Sequence, residues 1–275
     1  MLLPLKETVE KHGLLAQKSL GQNFLLDQNI TNKIIALSLN KQGLANFNSI
    51  NICEVGPGPG GLTRAILNEN PSSISVIEMD RRCIAIMEEL KHEYNNIPFN
   101  IINGDALKYD ISKEVISPRQ VISNLPYNVS VPLLIGWLKN IKEYSALTLM
   151  FQKEVAERIM AEPRTKDYGR ISILSQLTCK IDKLMDLSPE CFIPAPKIWS
   201  TVLLFQPKEE KIPSHLIENI EKITSLAFGQ RRKMLRQSLK SMPNLLSKFE
   251  ELGIQPTARA EELTPEQFLT LASNF

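Results

Sequence analysis

The sequence predicts an α/β protein, a doubly wound parallel sheet followed by a small all-α domain. Three observations carry this. Between residues 50 and 124, short apolar runs that end in polar residues alternate with helix-length amphipathic stretches, the pattern of strands joined by crossover helices. The first run feeds directly into Gly56, Gly58, Gly60 and Gly61, a glycine turn that opens a helix. After Phe205, the charged, proline-marked linker 207–211 leads into sequence that reads as helices to the end. Residues 1–207 are therefore expected to form the α/β domain with an N-terminal helical extension, and 208–275 the helical domain.

In chain order, 18–27 is an irregular polar and apolar mixture ahead of a helix at about 28–39. Residues 50–55 form a strand and 62–68 a helix. Between them Gly56, Gly58 and Gly61 match G-x-G-x-x-G, which lets the backbone approach a ligand and points a helix N-terminus at it. The strand 74–77 ends at Glu78, 22 positions after Gly56, where a carboxylate can accept hydrogen bonds from both hydroxyls of a ribose. A helix at 81–92 leads to a third strand, 99–102, and then to Asp105, which can bind an adenine amino group. The fourth strand runs into Asn124, Leu125, Pro126 and Tyr127. Strands at 146–151, 180–187 and 201–205 and helices at 154–161 and 172–177 complete the domain. The C-terminal helices are expected at 214–228, 231–240, 245–251 and 265–273.

Composition excludes several classes. Hydrophobic residues make up 43% and charged residues 23%, as in an ordinary globular protein. The net charge is +2, so any nucleic-acid surface must be local. The four cysteines are far apart and read as buried thiols in a reducing compartment, and the three histidines lie in different regions, so no metal site is expected. The N-terminus lacks the pattern of a signal peptide. Residues 120–138 carry no charge, but Asn124, Pro126, Asn128, Ser130 and Pro132 interrupt the run. It reads as a buried strand, a loop and a helix, and the chain is expected to be cytoplasmic and without membrane contact.

The four residues after the fourth strand carry chemistry suited to an exocyclic base nitrogen. That nitrogen is a poor nucleophile, because its lone pair is delocalised into the ring. The Asn124 oxygen and a backbone carbonyl stiffened by Pro126 can accept the two amino hydrogens and favour the pyramidal form. Tyr127 offers a face on which the base can stack. The glycine turn and Glu78 alone fit NAD as well as S-adenosylmethionine, since both carry an adenosine. Asp105 and 124–127 have no role in hydride transfer, which favours the methyl donor.

Residues 124–127 resemble the signature of adenine-N6 methyltransferases of ribosomal RNA. The blocks 18–25, 152–158, 168–170, 192–197 and 230–236 resemble, in the same order, the bacterial small-subunit (16S) rRNA adenine N6,N6-dimethyltransferase family. The resemblance implies a Rossmann-like S-adenosylmethionine-dependent methyltransferase fold. It implies dimethylation of N6 on two adjacent adenosines in a hairpin loop near the 3′ end of small-subunit rRNA, a role in small-subunit biogenesis, and no obligate protein partner. It implies that Asn23 and Leu25 border the donor, that Gly56 contacts its methionine part with Gly58 beside it, and that Glu78 and Asp105 bind ribose and adenine. Asn124 would touch donor and target, with Leu125 and Pro126 beside it, while Tyr127 and Phe192 sandwich the flipped adenine. One departure is Trp199, where the family commonly has an acidic residue before Ser200. In the helical domain, Arg231, Arg232, Lys233, Arg236 and Lys240 lie close together with no acid between Ser225 and Lys240. Beside a base-modifying site they read as phosphate contacts. The competing readings are a large-subunit rRNA methyltransferase and a non-catalytic RNA-binding assembly or transcription factor on the same fold.

Overall fold

A computed structural model describes residues 2–14, 22–255 and 257–275. It opens with α1 (Leu5–Lys11), a two-residue strand β1 (Phe24–Leu25) and α2 (Gln28–Gln42). Asp27 caps α2 by accepting from the Asn29 N–H at 2.8 Å, and Gly43, at φ 68°, ends it in the left-handed region.

The sheet then builds from β2 (Asn51–Val55), β3 (Ser73–Glu78), β4 (Phe99–Asn103) and β5 (Arg119–Ser123), joined by α3 (Gly61–Leu67), α4 (Arg81–Glu93) and the short α5 (Ile111–Glu114). Helix α4 buries Cys83, Ile86, Met87 and Leu90, the spacing of one helix face, and Asp80 caps it. After β5 come α6 (Tyr127–Lys139), β6 (Ala146–Gln152), α7 (Lys153–Met160), α8 (Arg170–Thr178), β7 (Cys179–Leu187), the two-residue β8 (Phe192–Ile193) and β9 (Ser200–Pro207). Every residue of β5 is buried, the polar Arg119, Gln120 and Ser123 as well as Val121 and Ile122, as expected of a strand covered on both faces.

The strand order is β4-β3-β2-β5-β6-β9-β7. Pairing is parallel from β4 through β6, and β9 runs antiparallel to β6, with Gln152 opposite Ser200. The order reverses between β2 and β5, which opens a crevice at the carboxyl ends of those strands. A separate antiparallel pair joins β1 to β8, setting Phe24 against Ile193 and Leu25 against Phe192.

By its internal contacts the chain divides into two compact units: Met1–Leu134, Lys142–Lys153 and Asp182–Gln206 in the first, and Ile135–Ile141, Glu154–Ile181 and Pro207–Phe275 in the second. The helical unit thus draws in α7 and α8 as well as residues beyond 207, and it is larger than the expected 208–275. The reason is packing: Tyr168, Ile173 and Leu177 share one core with Ile220, Ile223 and Phe268. Its remaining helices are α9 (Ser214–Gly229), α10 (Leu235–Ser238), α11 (Pro243–Leu246) and α12 (Pro265–Ser273). The long helix expected at 231–240 is only α10, because Met234 forms a bridge with Arg259 that holds the preceding backbone extended. No helix among the described residues is long and apolar enough to cross a membrane.

Candidate active site

The carboxyl ends of β2, β3, β4 and β5, together with β1, enclose a cavity of about 370 Å³ in the first unit, within the size range of ligand pockets. It is lined by Asn23, Leu25, Gly56, Gly58, Glu78, Asp105, Asn124, Leu125, Pro126 and Tyr127. The structure therefore brings together every expected cofactor residue and four of the five expected catalytic ones.

Backbone conformation explains the glycines. Gly56 and Gly58 sit at φ 67° and 56°, where a side chain is strained. A Cβ on Gly61 would meet the Leu25 carbonyl oxygen at 2.5 Å. The strand β1 and the start of α3 thus approach as closely as backbones can.

Glu78 is fixed from its own turn. One oxygen accepts from the Met79 and Asp80 N–H groups at 2.7 and 2.9 Å, and the other lies 3.4 Å from the Gly58 N–H. Burial raises its pKa, while these three donors oppose the rise. The neighbouring Asp80 is held at about 2, chiefly by its hydrogen bonds from Arg82, and also accepts from Gln22. Asp105 spends one oxygen on the Leu107 N–H at 3.0 Å.

Asn124 donates its amide N–H to the Asn23 carbonyl at 3.4 Å, which leaves the amide oxygen as the end available to a ligand. The Pro126 carbonyl accepts from Val129 N–H at 3.1 Å, and the buried Leu125, whose carbonyl the following proline stiffens, lines the cavity. The half-buried Tyr127 is tied through its hydroxyl to Ser200 Oγ at 2.8 Å, and burial raises its pKa. The Asn124 side chain, the Leu125–Pro126 turn and Tyr127 thus line one cavity with Glu78 and Asp105.

Phe192 departs from the expectation. It is 2% exposed, does not line the cavity, and packs in the same core as Phe24, Leu25 and Leu187. Its pairing with Leu25 places it behind the cavity, so of the two expected sandwich residues only Tyr127 lines the cavity. Arg231 departs too: its guanidinium donates to Glu261 at 2.7 Å and to the Thr165 carbonyl at 3.0 Å, which makes it a brace within the second unit. Arg232, Lys233 and Arg236 are exposed. Residues 18–21 of the 18–25 block lie outside the described residues.

Of the lining residues that escaped the sequence reading, three bear most on the chemistry. Glu54, 1% exposed, accepts from Thr63 Oγ1 at 2.7 Å and is pushed up to about 8, mainly by burial. An acid inside an otherwise apolar strand was the available signal. Met79 and Leu107 are exposed and flank Glu78 and Asp105, where they offer apolar surface to a purine. Nothing in the sequence distinguishes them from core residues. Among the described residues, no group of three or more His, Cys, Asp or Glu is arranged to hold a metal ion.

Residues 13–275 match the family model described as ribosomal RNA adenine dimethylase. The chain belongs to that family. It is 47% identical over 279 residues to the ribosomal RNA small subunit methyltransferase A of Azorhizobium caulinodans, covering 100% of this chain and 93% of that one. The protein of the same description from Rhodospirillum rubrum is 43% identical over 271 residues, covering 98% and 92%. Among solved structures, a dimethyladenosine transferase from Plasmodium falciparum superposes with a TM-score of 0.75 at 25% identity, covering 89% of this chain and 94% of that one. The 23S rRNA methyltransferase ErmE, at 20% identity and a TM-score of 0.65 over 92% of this chain and 99% of its own, shares the fold. The chain is thus an enzyme with the Rossmann-like fold of S-adenosylmethionine-dependent methyltransferases, and the glycine turn, Glu78 and Asp105 fit that donor.

Proposed function

We propose that this enzyme transfers methyl groups from S-adenosylmethionine to N6 of two adjacent adenosines in a hairpin loop near the 3′ end of small-subunit rRNA. The observation that carries this reading is that Asn124, Leu125, Pro126 and Tyr127 line one cavity with Glu78 and Asp105. The donor supplies a methyl group on a sulfonium, already a good leaving group. The chain's own residues then act by position. Glu78 accepts from the ribose hydroxyls, Asp105 takes the adenine amino group, and Met79 and Leu107 cover the purine. Asn124 and Leu125 accept hydrogen bonds from the target amino group, directing its lone pair at the methyl carbon; as the N–C bond forms the C–S bond breaks, the neutral thioether departs, and the surplus amino proton passes to solvent. The target base leaves its stack to reach the cavity, and Tyr127 recovers part of that cost by stacking. Exposed Arg232, Lys233 and Arg236 contact phosphates. The substrate is the small ribosomal subunit or its precursor in the cytoplasm, which connects the modification to subunit biogenesis.

The test is methyl transfer from labelled S-adenosylmethionine to undermethylated small subunits and, separately, to large subunits, with Asn124→Ala as control. Dimethyladenosine confined to the small subunit and lost in the variant is the expected result. Label in the large subunit, or transfer unaffected by Asn124→Ala, would sink the assignment.

A further inference from the structure

We propose that Trp199 is a stacking platform for an unpaired nucleobase that flanks the target nucleotide in the RNA strand. The inference rests on the function proposed above and adds a surface to it. Three exposed large hydrophobic residues, Ile193, Ile198 and Trp199, fall within the one segment 193–199. Both ends of that segment are fastened to residues that line the cavity. Ile193 pairs with Phe24, and Ser200, next to Trp199, holds the Tyr127 hydroxyl at 2.8 Å. The apolar strip is therefore anchored at both ends to residues of the cavity wall, and Trp199 stands one residue from the tether of the ring on which the target base stacks.

Trp199 is built to stay outside. It is 49% exposed, whereas the other tryptophan, Trp137, is buried. Its carbonyl accepts from the Lys153 N–H at 2.9 Å, which fixes the backbone. Lys153 Nζ stands 5.8 Å from the ring centroid, within the range of a cation–π contact. Lys153 also lies 3.9 Å from Asp186, but Asp186 is held more closely by Lys183 and Thr201, both at 2.6 Å. Lys197 on the same segment is exposed as well. A half-exposed indole with the Lys153 ammonium over its ring, and a second exposed lysine two positions along the chain, matches one occupant, a nucleobase with its phosphate. A charged protein strand would find no large area to stack, and an apolar one would bury the lysines at a cost.

The experiment measures KM for undermethylated small subunits, kcat, and S-adenosylmethionine affinity in the wild-type enzyme, Trp199→Ala and Trp199→Phe. Trp199→Ala should raise the RNA KM about tenfold, the equivalent of about 1.4 kcal/mol, with donor affinity unchanged. Trp199→Phe should restore most of the difference, because a smaller aromatic face still stacks. In parallel, a single-stranded RNA oligonucleotide should quench tryptophan fluorescence in the wild-type enzyme and not in Trp199→Phe, which retains only the buried Trp137. An unchanged KM in Trp199→Ala, alongside normal wild-type turnover, overturns the platform and leaves the proposed function standing. Wild-type enzyme inactive on small subunits overturns both.

Discussion

Glu54 gives the sharpest test of how the cavity floor is built. Its carboxyl is buried at the end of β2 and holds its proton up to about pH 8, whereas in the unfolded chain the proton leaves near the ordinary 4.5. A carboxyl raised on folding contributes stability that is fully present below 4.5 and is lost as pH rises through about 8. At pH 7 the protonated folded form outnumbers the ionised one by about ten to one, and at pH 9 the ratio is inverted. The folded state therefore loses about 1.4 kcal/mol of proton-linked stability over that interval, one pKa unit's worth.

Glu54→Gln removes the titration while keeping an oxygen that can accept from Thr63 Oγ1, now at 2.7 Å. Urea unfolding at pH 7 and pH 9 should show wild type losing about 1.4 kcal/mol more than the variant, with the other titrating groups cancelling in the difference. Equal losses in the two proteins would mean that Glu54 is already ionised at neutral pH, and would refute the reading.

Further outcomes follow from the same geometry. Gly61→Ala should destabilise by about 1–3 kcal/mol and weaken donor binding, since the new methyl group meets the Leu25 backbone at 2.5 Å; Gly136→Ala, exposed inside α6 with nothing within 4 Å of the added methyl, should instead stabilise by about 0.5–1 kcal/mol in thermal melts. Glu78→Gln should weaken S-adenosylmethionine binding by about tenfold or more in calorimetry, the order expected when charge-assisted acceptors are lost. In wild type that affinity should fall as pH drops through the raised pKa of Glu78, at higher pH than for an ordinary glutamate, and a flat profile would count against ribose binding. Replacing Arg232, Lys233 and Arg236 together by Gln should lower the slope of log affinity against log salt by about 2 to 3 for RNA, and an unchanged slope would return them to ordinary surface.

The sheet was legible because its signals are local and repeated: apolar runs of strand length, each ending at a glycine, Glu78, Asp105 or Asn124, with helix-period sequence between. The position of the cavity follows from those strand ends. Phe192 was not legible, because its place is decided by a two-residue strand that pairs across 167 positions with Leu25, and two residues carry no periodicity. The helical unit was misjudged for a related reason. Tyr168 and Ile173 look like part of the preceding α/β sequence, and only their packing against Ile220, Ile223 and Phe268 assigns them to the other core. Arg231 read as one cation in a run, and its use as a brace depends on Glu261, 30 residues away.

The target-binding groups share a feature that bears on catalysis. Each is held by a different part of the first unit: Asn124 by the Asn23 carbonyl ahead of β1, the Leu125 carbonyl by Pro126, and Tyr127 by Ser200 at the start of β9. Acceptors fixed before the base arrives need little reorganisation when charge develops on the amino nitrogen, which is where preorganised polar groups gain their effect. The donor pocket depends on another set of contacts, the turn of Glu78 and the Gly61–Leu25 approach. The two halves of the site are thus separable by mutation. Loosening the tether at Ser200 should cost turnover, and disturbing Glu78 should cost donor affinity, because the Tyr127–Ser200 hydrogen bond and the turn that holds Glu78 have no residue in common.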